Sequence, residues 1–413
     1  MRPNRLDRQL RIEGWNQQVL ENAKVGVVGD DDLLASLYIM SASALGINNI
    51  AVIAPALNDR LIEIAKKLNL HFTLTSVEGF YTHPVMAELL KGCDLIVDLS
   101  HYGLANKLLI EKGFRENIPI IRGFCYERNS NQGFKVFSYL KGREWQELEQ
   151  MVSTYNLPNS HFDDGVLDTI ITGIVLEETK NLLMGQDVSN DLISFNRIRI
   201  KKSNGQPKIL IVGSGALGTF VGMGLAFSGF RNLSFMDPDT VEVTNLNRQV
   251  LFYNAIGKSK AKTLSKKINT LFGIESNAEV VYFDRNGNIE FYDAVFDCVD
   301  NFETRIILSE KCKDQRKVLI SGGTSPNAGQ IVTFNPNDAR GTPAELLGMY
   351  DIIEKRHLET YQRERAACIY QPDPSVIMTN QITAGFMVDS YRMLIDGQTP
   401  ENVFYDSTSN TKF

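Results

Sequence analysis

Arg248, Lys260 and Asp300 follow, in that order, a glycine-rich turn, Gly213-Ser214-Gly215-Ala216-Leu217-Gly218, which itself follows the strand-like run Lys208 to Val212. A turn of this kind between a strand and a helix presents backbone N–H groups to a phosphate. Taken alone it serves a dinucleotide oxidoreductase equally well. So does Asp237 at the end of the next strand, where a carboxylate can hold ribose hydroxyls. Charge separates the two chemistries. A pyrophosphate bridge can be held with few cations, whereas a triphosphate under attack needs cations aimed at its developing charge. Closely after Asp237-Pro238-Asp239 come Asn245-Leu246-Asn247-Arg248-Gln249 and Gly257-Lys258-Ser259-Lys260-Ala261-Lys262. Arg248 and Lys260 are the candidate cations; Lys258, Lys262, Lys266 and Lys267 read as the solvated face of a helix. Asp300, in Asp300-Asn301 at the carboxyl end of a strand, could hold Mg²⁺ with the phosphates. It could also cap the helix that includes Arg305.

The elements that must position these residues occur twice. Lys24 to Val28 leads into Gly29-Asp30-Asp31-Asp32-Leu33-Leu34, where three carboxylates stand in place of the glycine-rich turn. Like charges repel, so this copy should not bind a polyphosphate. Strands are expected in matching pairs: Asn49–Ala54 with Asn232–Asp237, Cys93–Asp98 with Tyr292–Asp297, Ile118–Ile121 with Lys317–Ile320, and Gly133–Tyr139 with Gly329–Phe334. Each half ends in a long apolar helix, Val166–Met184 and Val376–Ile395, with a glycine in its middle (Gly173, Gly385) and one at its end (Gly185, Gly397). Strands alternating with helices imply an α/β fold of two tandem Rossmann-like domains with doubly wound, mostly parallel sheets. The boundary falls in the polar stretch Lys201 to Pro207, giving domains 1–200 and 201–413. Gly123 and Gly322 are 199 residues apart and Gly173 and Gly385 are 212 apart, so the second half carries about 13 extra residues within roughly 341–374.

The 413 residues, 43% hydrophobic and 22% charged, suit two globular domains. A net charge of −6 argues against nucleic acid as the main partner. No stretch is apolar enough to span a membrane, and the N-terminal residues lack a secretory h-region. Five irregularly spaced cysteines without a C-x-x-C pair point to thiols in the cytoplasm and to no zinc site. Cys93 and Cys298 fall in expected strands, and Cys125 and Cys312 read as structural. Cys368 differs. It lies in the extra segment, between Arg363/Arg365 and the helix start near Asp373-Pro374-Ser375, and cations and a helix N-terminus both lower a thiol pKa.

The turn Gly213–Gly218, Asp237-Pro238-Asp239, Asn245 to Gln249, Lys260 and Asp300-Asn301 through Arg305 resemble the adenylation domain of ubiquitin-activating (E1) enzymes and their ThiF-type bacterial relatives that make sulfur-carrier adenylates. Asp7-Arg8-Gln9-Leu10-Arg11 followed by Gly14 resembles the opening of an inactive E1 half. The resemblance covers nearly the whole chain. It implies that Gly213, Gly215, Ala216, Leu217, Gly218, Asp237, Asp239, Asn245, Arg248, Gln249, Lys260, Asp300, Asn301 and Arg305 hold ATP. It further implies that Asp300 holds Mg²⁺ and that Arg8 reaches across from the inactive half to the phosphates. It also implies a crossover loop at about 341–374 on which Cys368 is the nucleophile. The substrate would be the C-terminal carboxylate of a ubiquitin-like protein, adenylated and then passed as a Cys368 thioester to a conjugating enzyme (E2). The sequence is expected to lack both the large catalytic-cysteine domain and the C-terminal ubiquitin-fold domain of eukaryotic E1 enzymes, and also the zinc pairs of the sulfur-carrier activators. The chain is therefore similar to the compact E1 components of bacterial ubiquitination-like operons, some linked to antiviral (phage) defence. A fusion of two halves implies a self-sufficient, pseudo-dimeric monomer. Two other readings remain open: an adenylation-only enzyme of a sulfur-carrier, peptide or tRNA pathway, and a non-catalytic or NAD-binding subunit.

Overall fold

The computed structural model describes residues 4–142, 149, 152–155, 162–201, 206–354, 373–409 and 411–413. Two seven-stranded sheets follow one another. The first contains β1 (Lys24–Gly29), β2 (Asn49–Ala54), β3 (Thr73–Glu78), β4 (Leu95–Leu99), β5 (Ile120–Arg128), β6 (Asn131–Tyr139) and β7 (Ile193–Ile198), in the order β3-β2-β1-β4-β5-β6-β7. The second repeats it as β10-β9-β8-β11-β12-β13-β14, from β8 (Ile209–Val212), β9 (Leu233–Met236), β10 (Asn277–Glu279), β11 (Ala294–Asp297), β12 (Val318–Thr324), β13 (Ala328–Phe334) and β14 (Val403–Asp406). In each sheet the first five strands pair in parallel, and the last two join by antiparallel pairing, so that only the sixth runs against the rest. The chain is thus α/β with two doubly wound, mostly parallel sheets. In each, the strand order reverses beside the strand that precedes the glycine turn, and ligands bind at such a crevice.

The described helices are α1 (Gln17–Asn22), α2 (Leu34–Leu45), α3 (Asp59–Leu68), α4 (Gly103–Glu116), α5 (Gly165–Leu183), α6 (Ala216–Phe227), α7 (Lys260–Phe272), α8 (Phe302–Asp314), α9 (Pro343–Leu346) and α10 (Ile377–Ile395). None of these is long and apolar enough to cross a membrane. Every residue of α2 is buried, and most of α5 and α10 are too. A helix apolar all round has no solvent face and must lie inside. Here the interior is shared, because one hydrophobic cluster runs through both halves.

The mid-helix glycines mark where the halves meet. A Cβ on Gly173 would come within 2.6 Å of Ile382 Cγ1, and one on Gly385 within 2.3 Å of Ile170 Cγ1. Each glycine lets the other half's helix approach, and the two contacts are reciprocal. Gln381 bridges the seam, donating to Thr172 Oγ1 and accepting from Ser41 Oγ at 2.9 Å. Beside it, buried Arg197 on β7 donates to Asp389 on α10 at 2.8 Å, while Arg392 on α10 donates to Asp164, the N-cap of α5, at 2.7 Å. Gly185 and Gly397 follow α5 and α10 with φ of +68° and +77°, and the next amides, of Gln186 and Gln398, reach back to the carbonyls of Asn181 and Met393.

Four strands were not expected from sequence. β3, with none of its residues buried, and the three-residue β10 are too polar or too short to carry a strand pattern, and β7 and β14 close sheet edges. The carboxylates of Gly29–Asp32 do more than repel. Asp31 Oδ1 accepts from Leu33 N and Leu34 N at 2.9 and 2.7 Å, capping the start of α2. Asp30 accepts from the His101 backbone N–H at 2.6 Å and pairs with its Nδ1 at 2.9 Å. The helix end that would greet a phosphate is already occupied by the protein's own carboxylate.

Candidate active site

The corresponding helix end in the second half is open. Gly215 precedes α6 with no side-chain cap, so the first amides of the helix have no local partner. Gly213 has a φ of +94°, and a Cβ there would lie 2.5 Å from Cys298 O. Gly218 does not line the cavity but supports the turn from beneath, where a Cβ would meet Gly213 O at 2.0 Å. At Gly215, by contrast, a Cβ would meet only Gln249 Nε2, at 3.6 Å. Two glycines are demanded by the protein's own packing, and the third leaves space at the cavity wall.

That wall bounds a cavity of about 1020 Å³, at the large end of the range for small-molecule sites, roughly 300–1,000 Å³. Gly213, Gly215, Ala216, Leu217, Asp237 and Asp239 line it, joined by Asn245, Arg248, Gln249 and Lys260, then by Asp300, Asn301 and Arg305, and from the other half by Arg8. Cys368 lies outside the described residues.

Several of these groups hold the site's shape. Asp237 Oδ2 accepts from Ser214 N at 2.7 Å and Oδ1 from Asp239 N at 2.8 Å, tying the end of β9 to the glycine turn. Burial raises its pKa, and Lys260 opposes that rise. Asn245 Oδ1 accepts from Glu242 N at 2.8 Å. Arg305 is buried and donates to Ser321 Oγ at 3.1 Å, to Gly322 O at 2.7 Å and to Val299 O, beside Asp297, bracing the turn that carries Asp300. Asn301, not Asp300, caps α8, accepting from Thr304 N at 2.8 Å. The Asp300 side chain is thereby released. It is exposed at the end of β11 and makes no hydrogen bond or ion pair among the described residues.

The cations converge from both halves. Arg248 is 7% exposed and donates to Thr244 O and Asn247 Oδ1, each at 2.8 Å. Burial, and then the positive charge of Arg8 beside it, pull its pKa down to about 9. Arg8 donates to Asp373 O at 2.7 Å, and its own carbonyl accepts from Ser375 N at 3.4 Å. Its Nε is buried without a hydrogen-bond partner among the described residues. Lys260 at the start of α7 reaches back to Asp239, 2.8 Å away. Sequence reasoning missed the clamp that brings the two arginines together: Asn247 Nδ2 donates to Gln9 Oε1 at 3.0 Å and to Ser375 O at 3.2 Å. Both Gln9 and Asn247 stand beside residues singled out by charge, but no spacing rule links positions so far apart. Tyr282, just after β10, was missed too; its hydroxyl donates to Asn301 Oδ1 at 3.2 Å and accepts from Thr304 Oγ1 at 2.8 Å.

A family model described as "ThiF family" matches residues 192–402, just over half of the chain. The chain belongs to the ThiF family. Among its relatives, the molybdopterin-synthase adenylyltransferase of Haemophilus influenzae is 38% identical over 160 residues, covering 35% of this chain and 66% of that protein. The adenylyltransferase and sulfurtransferase MOCS3 of Xenopus laevis is 30% identical over 194 residues, covering 45% of this chain and 41% of that one. The chain spans less than half the length of MOCS3 proteins it matches. Among solved structures, E. coli MccB with ATP aligns at a TM-score of 0.41 and 19% identity, over 49% of this chain and 61% of MccB. In this ThiF-family chain the matched segment contains the open glycine turn, whereas the capped turn at Asp31 lies outside it.

Proposed function

We propose that this protein activates the C-terminal carboxylate of a ubiquitin-like protein by adenylation with ATP, forms a thioester on Cys368, and passes it to an E2. The observation that carries the first step is the convergence of Arg8 and Arg248. Two guanidiniums from different halves stand beside one another on the cavity, with Arg248 almost wholly desolvated. Such an arrangement is unfavourable until an anion of high charge density lies between them. The open amides at Gly215 and the ammonium of Lys260 address the same space. A relative named as an adenylyltransferase supports the same chemistry.

In this reading, the substrate carboxylate is already ionised and needs no base. One of its oxygens attacks the α-phosphorus, the bond from that phosphorus to the bridging oxygen breaks, and pyrophosphate leaves with the electron pair. Arg8, Arg248 and Lys260 stabilise the charge that moves onto the departing oxygens. The exposed carboxylate of Asp300, without a partner among the described residues, fits the binding habit of Mg²⁺, which takes one or two carboxylates together with substrate phosphates. When bound, the ion would neutralise phosphate charge. The Cys368 thiolate would then attack the acyl carbon of the adenylate and release AMP. With Arg8 and Arg248 on one polypeptide, a single chain would suffice, and we place its work in the cytoplasm.

The test is ATP–pyrophosphate exchange and non-reducing electrophoresis of the full chain with a candidate ubiquitin-like protein, comparing wild type with Cys368→Ala. A thiol-sensitive adduct lost in the variant, with exchange retained, is expected. Exchange without any adduct would replace the proposal by an adenylation-only enzyme of a sulfur-carrier, peptide or tRNA pathway. NAD binding without exchange would remove it altogether.

A further inference from the structure

A second cavity, of about 300 Å³, is lined in part by Ile12, Glu13 and Trp15, a few residues after the Arg8 that lines the large one. Residues of five separate parts of the chain form it: the segment after Arg8, the C-terminal half of α5 with the turn that follows, the turn between β12 and β13 at Pro326 and Asn327, the start of α10 at Val376 and Met378, and the residues after β14. Its floor is charged. Glu177 is 2% exposed, and its Oε2 has no hydrogen-bond partner among the described residues. A buried carboxylate oxygen without a donor is costly and calls for one. Its other oxygen is held by Lys180 Nζ at 2.9 Å.

The two lysines on the cavity have N–H groups to spare. An ammonium carries three donors. Lys180 uses one on Glu177 and one on Gln186 Oε1, at 3.0 Å. Lys412, 5% exposed, donates to Ser407 O at 2.6 Å, and Glu178 Oε1 stands 3.8 Å away, beyond hydrogen-bond length. Among the described residues the cavity therefore offers one unfilled acceptor and at least two unfilled cationic donors. Its walls are apolar where Ile12, Trp15 and Met378 contribute, and exposed Glu13 and Asp187 lie at its rim.

We propose that this cavity binds a free amino acid with an apolar side chain, its ammonium group on Glu177 Oε2 and its carboxylate on Lys180 and Lys412, with the side chain against Trp15. A zwitterion supplies a donor to Glu177 Oε2 and an acceptor to the spare lysine N–H groups at once. A simple anion would leave Glu177 Oε2 without a donor, and a simple amine would leave the lysine donors unfilled. The proposal stands apart from adenylation, because none of these residues lines the large cavity.

The experiment is calorimetric titration of the full chain with L-methionine, L-leucine and L-phenylalanine, with N-acetyl-L-methionine and butylamine as probes that each lack one charge. One-to-one binding of at least one amino acid is expected, with both single-charge probes at least tenfold weaker. Glu177→Gln keeps the shape of the side chain and should weaken binding at least tenfold; Trp15→Ala, which leaves the charges in place, should weaken it several-fold. Binding should persist in Arg248→Ala, which damages only the large cavity. No binding of any amino acid at 10 mM, or equal binding of N-acetyl-L-methionine, would overturn the proposal. So would an affinity untouched by both Glu177→Gln and Trp15→Ala.

Discussion

At the scale of single residues, the two arginines carry the argument. Arg248 is held in place by Thr244 and Asn247, so its guanidinium does not have to be ordered when a nucleotide arrives. Arg248→Ala should lower kcat/KM for pyrophosphate exchange by about 10²–10³, the usual loss when one preorganised donor to developing charge is removed. Arg8→Ala should act similarly, although Arg8 belongs to the half whose own turn is capped. Exchange assays on both variants, with circular dichroism to confirm folding, check this; unchanged rates would place the phosphates elsewhere. Four charged residues that line the cavity were legible in the sequence, Arg248, Lys260 and Asp300 by their charge after a glycine turn and Arg8 by the family resemblance. What each does was less legible. Arg305 is braced against Ser321, Val299 and Gly322, and Asp237 is tied to the backbone of Ser214 and Asp239, contacts that depend on how strands far apart in sequence come together.

At the scale of elements, the contrast between α2 and α6 is the point. The same helix start carries a carboxylate cap in one half and open amides in the other. Asp31→Ala should destabilise the protein by about 1 kcal/mol, as loss of an N-cap does, and should leave exchange unchanged; denaturant melts and exchange rates measure the two. Gly385→Ala gains helix propensity, about 1 kcal/mol, but drives a Cβ to 2.3 Å from Ile170 in a packed seam. Overpacking of this kind costs about 1–3 kcal/mol, so a lowered melting temperature is expected. The glycines were visible in the sequence at matching places, but their reason was not, because it lies on the partner helix.

The ion pairs of the seam belong to the same scale. Burial alone would raise the Asp164 pKa, but Arg392 and Arg197 overcome it and hold the carboxylate below its usual value of 3.8. A carboxylate whose folded pKa is depressed stabilises the fold above its unfolded pKa, and that contribution is lost as pH falls through the folded value. Asp164→Asn should therefore lose stability at neutral pH and show a shallower decline on acidification below about pH 4. Urea unfolding at a series of pH values measures it, and parallel declines in variant and wild type would contradict it.

At the scale of the whole molecule, the proposed function with one open turn and one capped turn predicts one nucleotide per chain. Calorimetric titration with ATP and Mg²⁺ should give a stoichiometry of one. At a concentration of one hundred times Kd, ATP should add about 2.7 kcal/mol to the stability of the folded state, read as a rise in melting temperature. Two bound nucleotides would mean that Asp31 yields its place to phosphate. The duplication itself was the most legible property of the sequence, because each half repeats strand, turn and helix in order. The edge strands β7 and β14 were the least legible, being recruited by pairing with their neighbours rather than by their own pattern.

The reciprocal contacts at the seam, Gly173 with Ile382 and Gly385 with Ile170, are those of an isologous interface, in which each partner presents the same patch to the other. Here the twofold axis is buried inside a single polypeptide. In a pair of identical subunits every substitution is made twice, so a change that closes one turn closes both. Joining the copies lifts that constraint. One half could surrender its turn to a carboxylate and contribute an arginine instead, without its counterpart being altered in the same stroke.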